Sequence, residues 1–225
     1  MKIAVLTPCH YGNVNVYFAI SLIAAFTRVK KAEATFLSSV GSSMLPHARN
    51  MLVAQAMHWG ADKLIFIDDD ISFDSESFQR LCLHPEPIVA GTYQKKPHDI
   101  HARADLALSA FPEGIKADHR GLVEVDGAPT GFMRVDREVF EALKNTCMKM
   151  CDDNMPPEHQ AELYQYFEFS TVQKERGTFP EGEDYGFCRK ARKQGFRTWI
   201  DPTMKLGHHV GQFKFGASLE PLPLL

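Results

Sequence analysis

Short apolar runs alternate with stretches of helical spacing over the first hundred residues. Residues 2–8 (Lys-Ile-Ala-Val-Leu-Thr-Pro) predict a buried strand stopped by its proline. A polar segment, residues 10–15, leads into residues 16–28, whose apolar positions recur at helical spacing. A second strand is expected over residues 34–39 and a loop at Gly41-Ser42-Ser43. From Leu45 or Pro46 a helix runs to Gly60, a suitable C-terminal stop. Leu64-Ile65-Phe66-Ile67 predicts a third strand, and residues 75–83 a helix capped by Asp74. After the break at Pro85-Glu86-Pro87, residues 88–93 read as another strand. Such alternation predicts an α/β fold with a mostly parallel central sheet flanked by helices.

The pattern changes after Pro97. Residues 98–127 hold only weak strand signals, ending in a strand with a hairpin turn over 122–127, and residues 130–135 follow as a strand. Asp136 is placed to cap a helix over 137–143. Residues 145–180 are hard to read: a helix over 157–166 and a mobile loop over 174–177 are the expectations, with the segment as a whole suited to a lid or binding loop. Tyr185, Cys188 and Ala191 then follow helical spacing up to Gly195, and a strand over 197–201 precedes Gly207-His208-His209. The second half therefore forms a smaller mixed or antiparallel portion. At 225 residues the chain suits one domain, 1–225, with a first half (1–97) and a second half (98–225).

Composition narrows the function classes. With 44% hydrophobic and 24% charged residues the chain matches an ordinary globular protein, and its net charge of −3 without long basic runs argues against general nucleic-acid binding. The first apolar run is too short for a signal peptide, and no stretch approaches the ~20 apolar residues of a membrane-spanning helix. A cytoplasmic location without an integral membrane segment is the expectation. The five cysteines are odd in number and scattered, so free thiols are expected. Cys147, Cys151 and His159 lack the second close pair that a zinc site needs.

The third strand empties into Asp68-Asp69-Asp70. On extended backbone Asp68 and Asp70 share one side and Asp69 faces the other. Converging carboxylates repel unless a proton or cation lies between them, and paired oxygen ligands suit a hard divalent ion. Helix capping or plain solvation explains an isolated acidic triplet equally well. Thr7 and His10 stand where ligands of α/β units bind, beyond the end of the first strand; a turn role for His10 is as good a reading. Arg49 opposes the dipole of the helix it opens, which an anionic ligand would explain; an ordinary surface arginine or a salt bridge is the plainer reading. Glu181, Glu183 and Asp184 crowd another helix start, an ordinary place for acids.

Together these segments resemble the GT-A glycosyltransferases, particularly compact family-2-like members that use nucleotide-sugar donors. The resemblance is carried, in order, by Leu6-Thr7-Pro8, Ala48-Arg49-Asn50, Phe66-Ile67-Asp68-Asp69-Asp70-Ile71, Gly182-Glu183-Asp184 and Gly207-His208. It implies a GT-A, Rossmann-like fold and a metal-dependent transfer of sugar from a nucleoside-diphosphate sugar, UDP by family frequency, to a hydroxyl of a glycan, protein or lipid-linked acceptor. Asp68, Asp70 and His208 would hold Mn²⁺ or Mg²⁺, with His209 as the neighbouring choice and Asp69 or Asp68 reaching the nucleotide. Thr7, Pro8, His10 and Arg49 would form the nucleotide pocket, and Lys214 would close over the diphosphate. Tyr93, Lys95, Thr130 and Gly131 would line the sugar and acceptor positions. Asp184 would be the base of an inverting enzyme, with Glu183 beside it; in retaining members the same acids bind acceptor. A nucleotidyltransferase of similar fold is the alternative enzyme, although residues 9–15 lack its Gly-rich basic loop. A non-catalytic nucleotide- or sugar-binding module is the remaining alternative.

Overall fold

The computed structural model describes residues 1–30, 32–95, 106–210 and 213–217, the side chains of 210 and 213–217 excepted. In chain order the elements are β1 (Lys2–Cys9), α1 (Val16–Phe26), β2 (Glu33–Val40), α2 (Leu45–Trp59), β3 (Lys63–Ile67), β4 (Ile71–Phe73), α3 (Ser75–Leu83) and β5 (Ile88–Ala90). They continue with β6 (Val123–Val125), β7 (Phe132–Asp136), α4 (Arg137–Leu143), α5 (Pro157–Gln160), β8 (Ser170–Lys174) and β9 (Gly177–Glu181). The last are α6 (Glu183–Lys193), β10 (Thr198–Ile200), β11 (Leu206–Val210) and β12 (Phe213–Ala217).

The main sheet has seven strands in the order β2-β1-β3-β7-β5-β10-β6. The pairs β1·β2, β1·β3 and β5·β10 are parallel; β7 is antiparallel to both β3 and β5, and β6 to β10. Five strands thus share one direction, and the expected mostly parallel, Rossmann-like α/β sheet with an antiparallel component is found. Both faces are covered, which is why the inner strands read as unbroken apolar runs. Alternate residues serve opposite layers. Ala4, Leu6, Leu64 and Phe66 join Leu52 and Val53 of α2, Phe140 of α4 and Phe187 of α6. Ile3, Val5, Ile65 and Ile67 join Phe18 of α1 and Phe78 and Leu81 of α3.

Local chemistry explains most element ends. Gly60 closes α2 in the left-handed region at φ 84°, and Asp74 caps α3 through a 2.7 Å bond from the Ser77 amide. Three expectations need correction. Residues 157–166 yield only the short α5, because Leu163 and Tyr166 are spent in the core instead of on a helix face. Residues 174–177 are not a free loop but the tip of the β8–β9 hairpin, turned at Gly177 with φ 125°. Asp136 precedes α4 without capping it, since its carboxylate pairs with Arg134 at 3.1 Å and Lys63 at 3.3 Å.

A second, three-stranded antiparallel sheet, β12-β11-β4, begins where β3 ends. The acidic triplet is the junction. The chain leaves the main sheet at Ile67, turns through Asp68–Asp70 and enters β4 at Ile71, opposite His208 of β11.

Candidate functional site

The acidic triplet is a turn, not extended strand: the Ile71 amide donates to the Asp68 carbonyl at 3.1 Å. Strand alternation therefore does not set the three directions; the turn and its neighbours do. The Asp68 amide donates to the Gly131 carbonyl (3.1 Å), the Asp69 carbonyl accepts from the Asn15 amide (2.9 Å), and the Asp70 carbonyl from the His209 amide (2.9 Å). Three separate segments thus pin the turn by its backbone. The side chains diverge accordingly, Asp68 toward Arg49, Asp70 toward His208 and Asp69 toward the Cys9 thiol, which burial and then Asp69 push above its ordinary value.

Arg49, 2% exposed, links the two acidic segments of the chain. Its Nη2 lies 3.0 Å from Asp68 Oδ1, and its Nη1 donates to Glu183 Oε1 at the start of α6. Burial works against this guanidinium charge, but Asp68, Glu183 and Asp184 outweigh it and hold the group above its usual value. The cation at the α2 start is thereby explained by partners 19 and 134 residues away.

Asp184 is the next residue on α6. Its Oδ1 accepts the Tyr185 amide at 2.8 Å. Burial, and after it the charge of Glu183, push this carboxyl up to about 6, against the Tyr185 amide and Arg49. Tyr93, 6% exposed, stands among the same groups. Burial first, then Asp68, with Asp184 and Asp70 adding, raise its phenol well above 10.0. Gly131 lies against it: a Cβ there would come 2.0 Å from Tyr93 Oη and 3.0 Å from Asp68 Oδ2. Tyr93 also packs edge-on to His208, with ring centroids 5.1 Å apart.

His208 faces Asp70, with Nε2 3.5 Å from Oδ2. Its Nδ1 is 2.8 Å from the Gln94 carbonyl, an acceptor, so Nδ1 carries a hydrogen and Nε2 is the ring atom that faces the carboxylate. An imidazole nitrogen opposite a carboxylate is a nitrogen–oxygen pair of the kind that can hold a divalent cation. Among the described residues no group of three His, Cys, Asp or Glu side chains is assembled to hold a metal; the pair Asp70–His208 is what stands. His209 points to the opposite side of β11, stacking on Tyr17 at 4.8 Å with Nε2 2.8 Å from Ser72 Oγ.

A cavity of about 370 Å³ opens beside the turn, beyond the C-terminal ends of β1, β2 and β3, where open α/β sheets bind ligands. Pro8 and His10 line it, with Asp68, Asp69 and Asp70 along one side, and the His10 Nδ1 donates to the Ser42 carbonyl at 2.8 Å. Thr7 lies below it, fully buried, its Oγ1 without a hydrogen-bond partner among the described residues. Thr130 is likewise buried with an unpartnered Oγ1, next to Gly131. Lys95 is exposed at the end of its described segment. Lys214 pairs with His209 through the β11–β12 ladder, and its side chain lies outside the described residues, as do residues 98–105. The sequence reading missed Tyr11, Ser39, Ser42 and Ser43 as lining residues. Ser39 was within reach of it, because β2 ends beside β1 and the rule that singled out Thr7 and His10 applies to both strand ends.

No family model matches the chain, and neither does any curated protein. Among solved structures, A197 from STIV overlaps all of this chain and 98% of its own, at 15% identity and a TM-score of 0.54, a likeness of fold. The S. aureus TarS fragment 1–349 in complex with UDP-GlcNAc overlaps 98% of this chain but 60% of its own, at 12% identity and a TM-score of 0.38. A nucleoside-diphosphate-sugar pyrophosphorylase from Vibrio cholerae RC9 overlaps 88% of this chain and 91% of its own at 12% identity and 0.39. These two overlaps are too loose to carry a conclusion.

Proposed function

We propose that this protein is a divalent-metal-dependent glycosyltransferase that takes a sugar from a nucleoside-diphosphate donor, UDP being the first candidate, and delivers it to an acceptor hydroxyl. The observation that carries the reading is electrostatic. Among the described residues, those lining the cavity include three carboxylates and no lysine or arginine. A nucleoside fits such a volume, but a diphosphate beside three acids is repelled unless a cation accompanies it.

Asp70 and His208 are the residues that would hold that cation, with Asp68 beside them. Imidazole among the ligands favours Mn²⁺ over Mg²⁺. When bound, the ion neutralises the charge that develops on the departing diphosphate. The chain's own residues supply the rest. Pro8, His10, Tyr11 and the serines of residues 39–43 hold the nucleoside, and Gly131, by lacking a Cβ, lets Tyr93 stand beside Asp68, where the donor sugar would lie. Arg49 fixes Asp68 and α6 in one frame, so the donor turn and Asp184 keep a constant relation.

Asp184 takes the proton of the acceptor hydroxyl as its oxygen attacks the anomeric carbon; the bond to the diphosphate oxygen breaks, and configuration inverts. A carboxyl near 6 suits this work, being ionised at neutral pH yet more basic than an ordinary aspartate. On this reading the first half of the chain (1–97) is the donor side and the second (98–225) the acceptor side of one domain.

The test is a panel of nucleotide sugars incubated with the pure protein and Mn²⁺. Release of nucleoside diphosphate, lost in Asp70→Ala, supports the transferase. Pyrophosphate release from a nucleoside triphosphate and a sugar 1-phosphate would instead identify a nucleotidyltransferase, and binding without turnover a non-catalytic module.

A further inference from the structure

The first helix is apolar on the wrong side. Val-Tyr-Phe-Ala-Ile-Ser-Leu-Ile-Ala-Ala-Phe contains no charged residue. At about 100° per residue, Phe18, Ser21 and Ala25 share one face, and that face is buried against the sheet. Val16, Ile20 and Ile23 share the opposite face, where they are 62%, 57% and 66% exposed. The outer face of a surface helix is ordinarily polar. Tyr17 (57%) and Leu83 of the adjoining α3 (77%) widen the patch.

Cations stand at both ends of this stripe. Arg28 and Lys30 are exposed just past the C-terminus of α1 and line a hollow with Val29, Phe78 and Leu83. Lys205 is exposed at the other end, sharing a hollow with Tyr17 and Ile20. None of the three has an ion pair with a described residue, although the chain as a whole carries −3. Asp74, which lines the Lys205 hollow, is occupied in capping α3, and Glu33, beside the other hollow, is paired with Lys2.

We propose that the outer face of α1, with Leu83, docks on an anionic lipid surface, the helix lying in the interfacial plane and Arg28, Lys30 and Lys205 meeting the headgroups. An apolar face with a basic rim supplies the two signals that stable peripheral binding requires. No described helix is long and apolar enough to cross a membrane, so the contact is peripheral for these residues. A second copy is the weaker occupant. Two-fold packing of α1 on itself, parallel or antiparallel, sets basic ends against basic ends, because cations stand at both ends of the stripe. Docking stands independently of the transferase reading. The Asn15 amide that opens α1 donates to Asp69, so a docked helix holds the acidic turn within roughly one helix length, about 16 Å, of the headgroups.

The test is co-sedimentation of the full chain with vesicles of phosphatidylcholine alone or with roughly one-third phosphatidylglycerol, at low salt and at about 0.5 M salt. The wild type should bind the anionic vesicles and be released by salt. Ile20→Glu/Ile23→Glu should weaken binding at least about tenfold, with circular dichroism confirming that the variant is folded. Arg28→Glu/Lys30→Glu, outside the helix, should weaken binding to anionic vesicles about fivefold or more per residue and remove most of the salt response. Folded wild type that ignores anionic vesicles overturns the proposal. So does a dimer in light scattering that Ile20→Glu/Ile23→Glu converts to monomer without any vesicle binding, since that assigns the face to a second copy.

Discussion

A carboxyl that titrates near 6 inside a folded protein affects rate and stability in opposite directions. For Asp184 as base, kcat/KM should fall tenfold per pH unit below about 6 and level off above it. A pH–rate profile flat from 5 to 7 would remove the residue from that role. The stability sign is the reverse of the usual aspartate case. Between the ordinary value of 3.8 and about 6, the folded carboxyl keeps a proton that the unfolded one has lost, so its contribution favours folding at low pH and is lost as pH climbs through that window. Asp184→Asn should therefore lower kcat by about 10²–10⁴ while raising stability by about 1–2 kcal/mol above pH 6, read as a few degrees in Tm. Asn keeps an oxygen for the Tyr185 amide, so that bond does not confuse the result. Gly131→Ala is a steric probe: its methyl would fall 2.0 Å from Tyr93 Oη, displacing the ring and Asp68 together. A rate loss of about 10²-fold is expected from such misplacement, with wild-type turnover in the variant as the contrary finding.

At the level of elements the site is a tie between α2, the end of β3 and the start of α6, made through one side chain. Replacing Arg49 by Met leaves the Asp68 and Glu183 carboxylates near one another and partly out of water, and should cost about 3–5 kcal/mol in urea unfolding. Adding Glu183→Gln should return part of that loss; strictly additive effects would show that the two residues do not interact. The sequence announced only half of this arrangement. A cation opening α2 is anomalous by the helix dipole alone, so Arg49 drew notice, but partners so distant in sequence are invisible without the fold. The same holds for the histidines. Period-two logic sends His208 and His209 to opposite sides of β11, yet only the pairing of His208 with Ile71 decides which one meets Asp70. Where the sequence misled was at Asp68–Asp70, because four apolar residues before the acids imply that the strand continues, while a single 3.1 Å turn bond redirects the chain.

For the molecule as a whole, the alternation of apolar runs and helical spacing was sufficient for the parallel half of the sheet, because both faces of those strands are buried and propensity agrees with packing. It could not place β7 between β3 and β5, since strand order is set by long-range pairing that no local pattern encodes. The hairpin β8–β9 escaped for a different reason: it is largely exposed, so no apolar alternation marks it. Ligand linkage reports on the whole fold. Mn²⁺ with the right nucleoside diphosphate at about 100 times Kd should raise Tm by about 5–10 °C, and the diphosphate without metal should do far less, because the cavity is lined by acids. The most direct measurement is turnover itself: nucleoside diphosphate released from a panel of nucleotide sugars by wild type, Asp70→Ala and Asp184→Asn, with Mn²⁺ or with a chelator. Release from one donor, dependent on Mn²⁺ and lost in both variants, is the expected result. Turnover indifferent to the chelator and to Asp70→Ala, or a folded, metal-loaded protein inert across the panel, would contradict it.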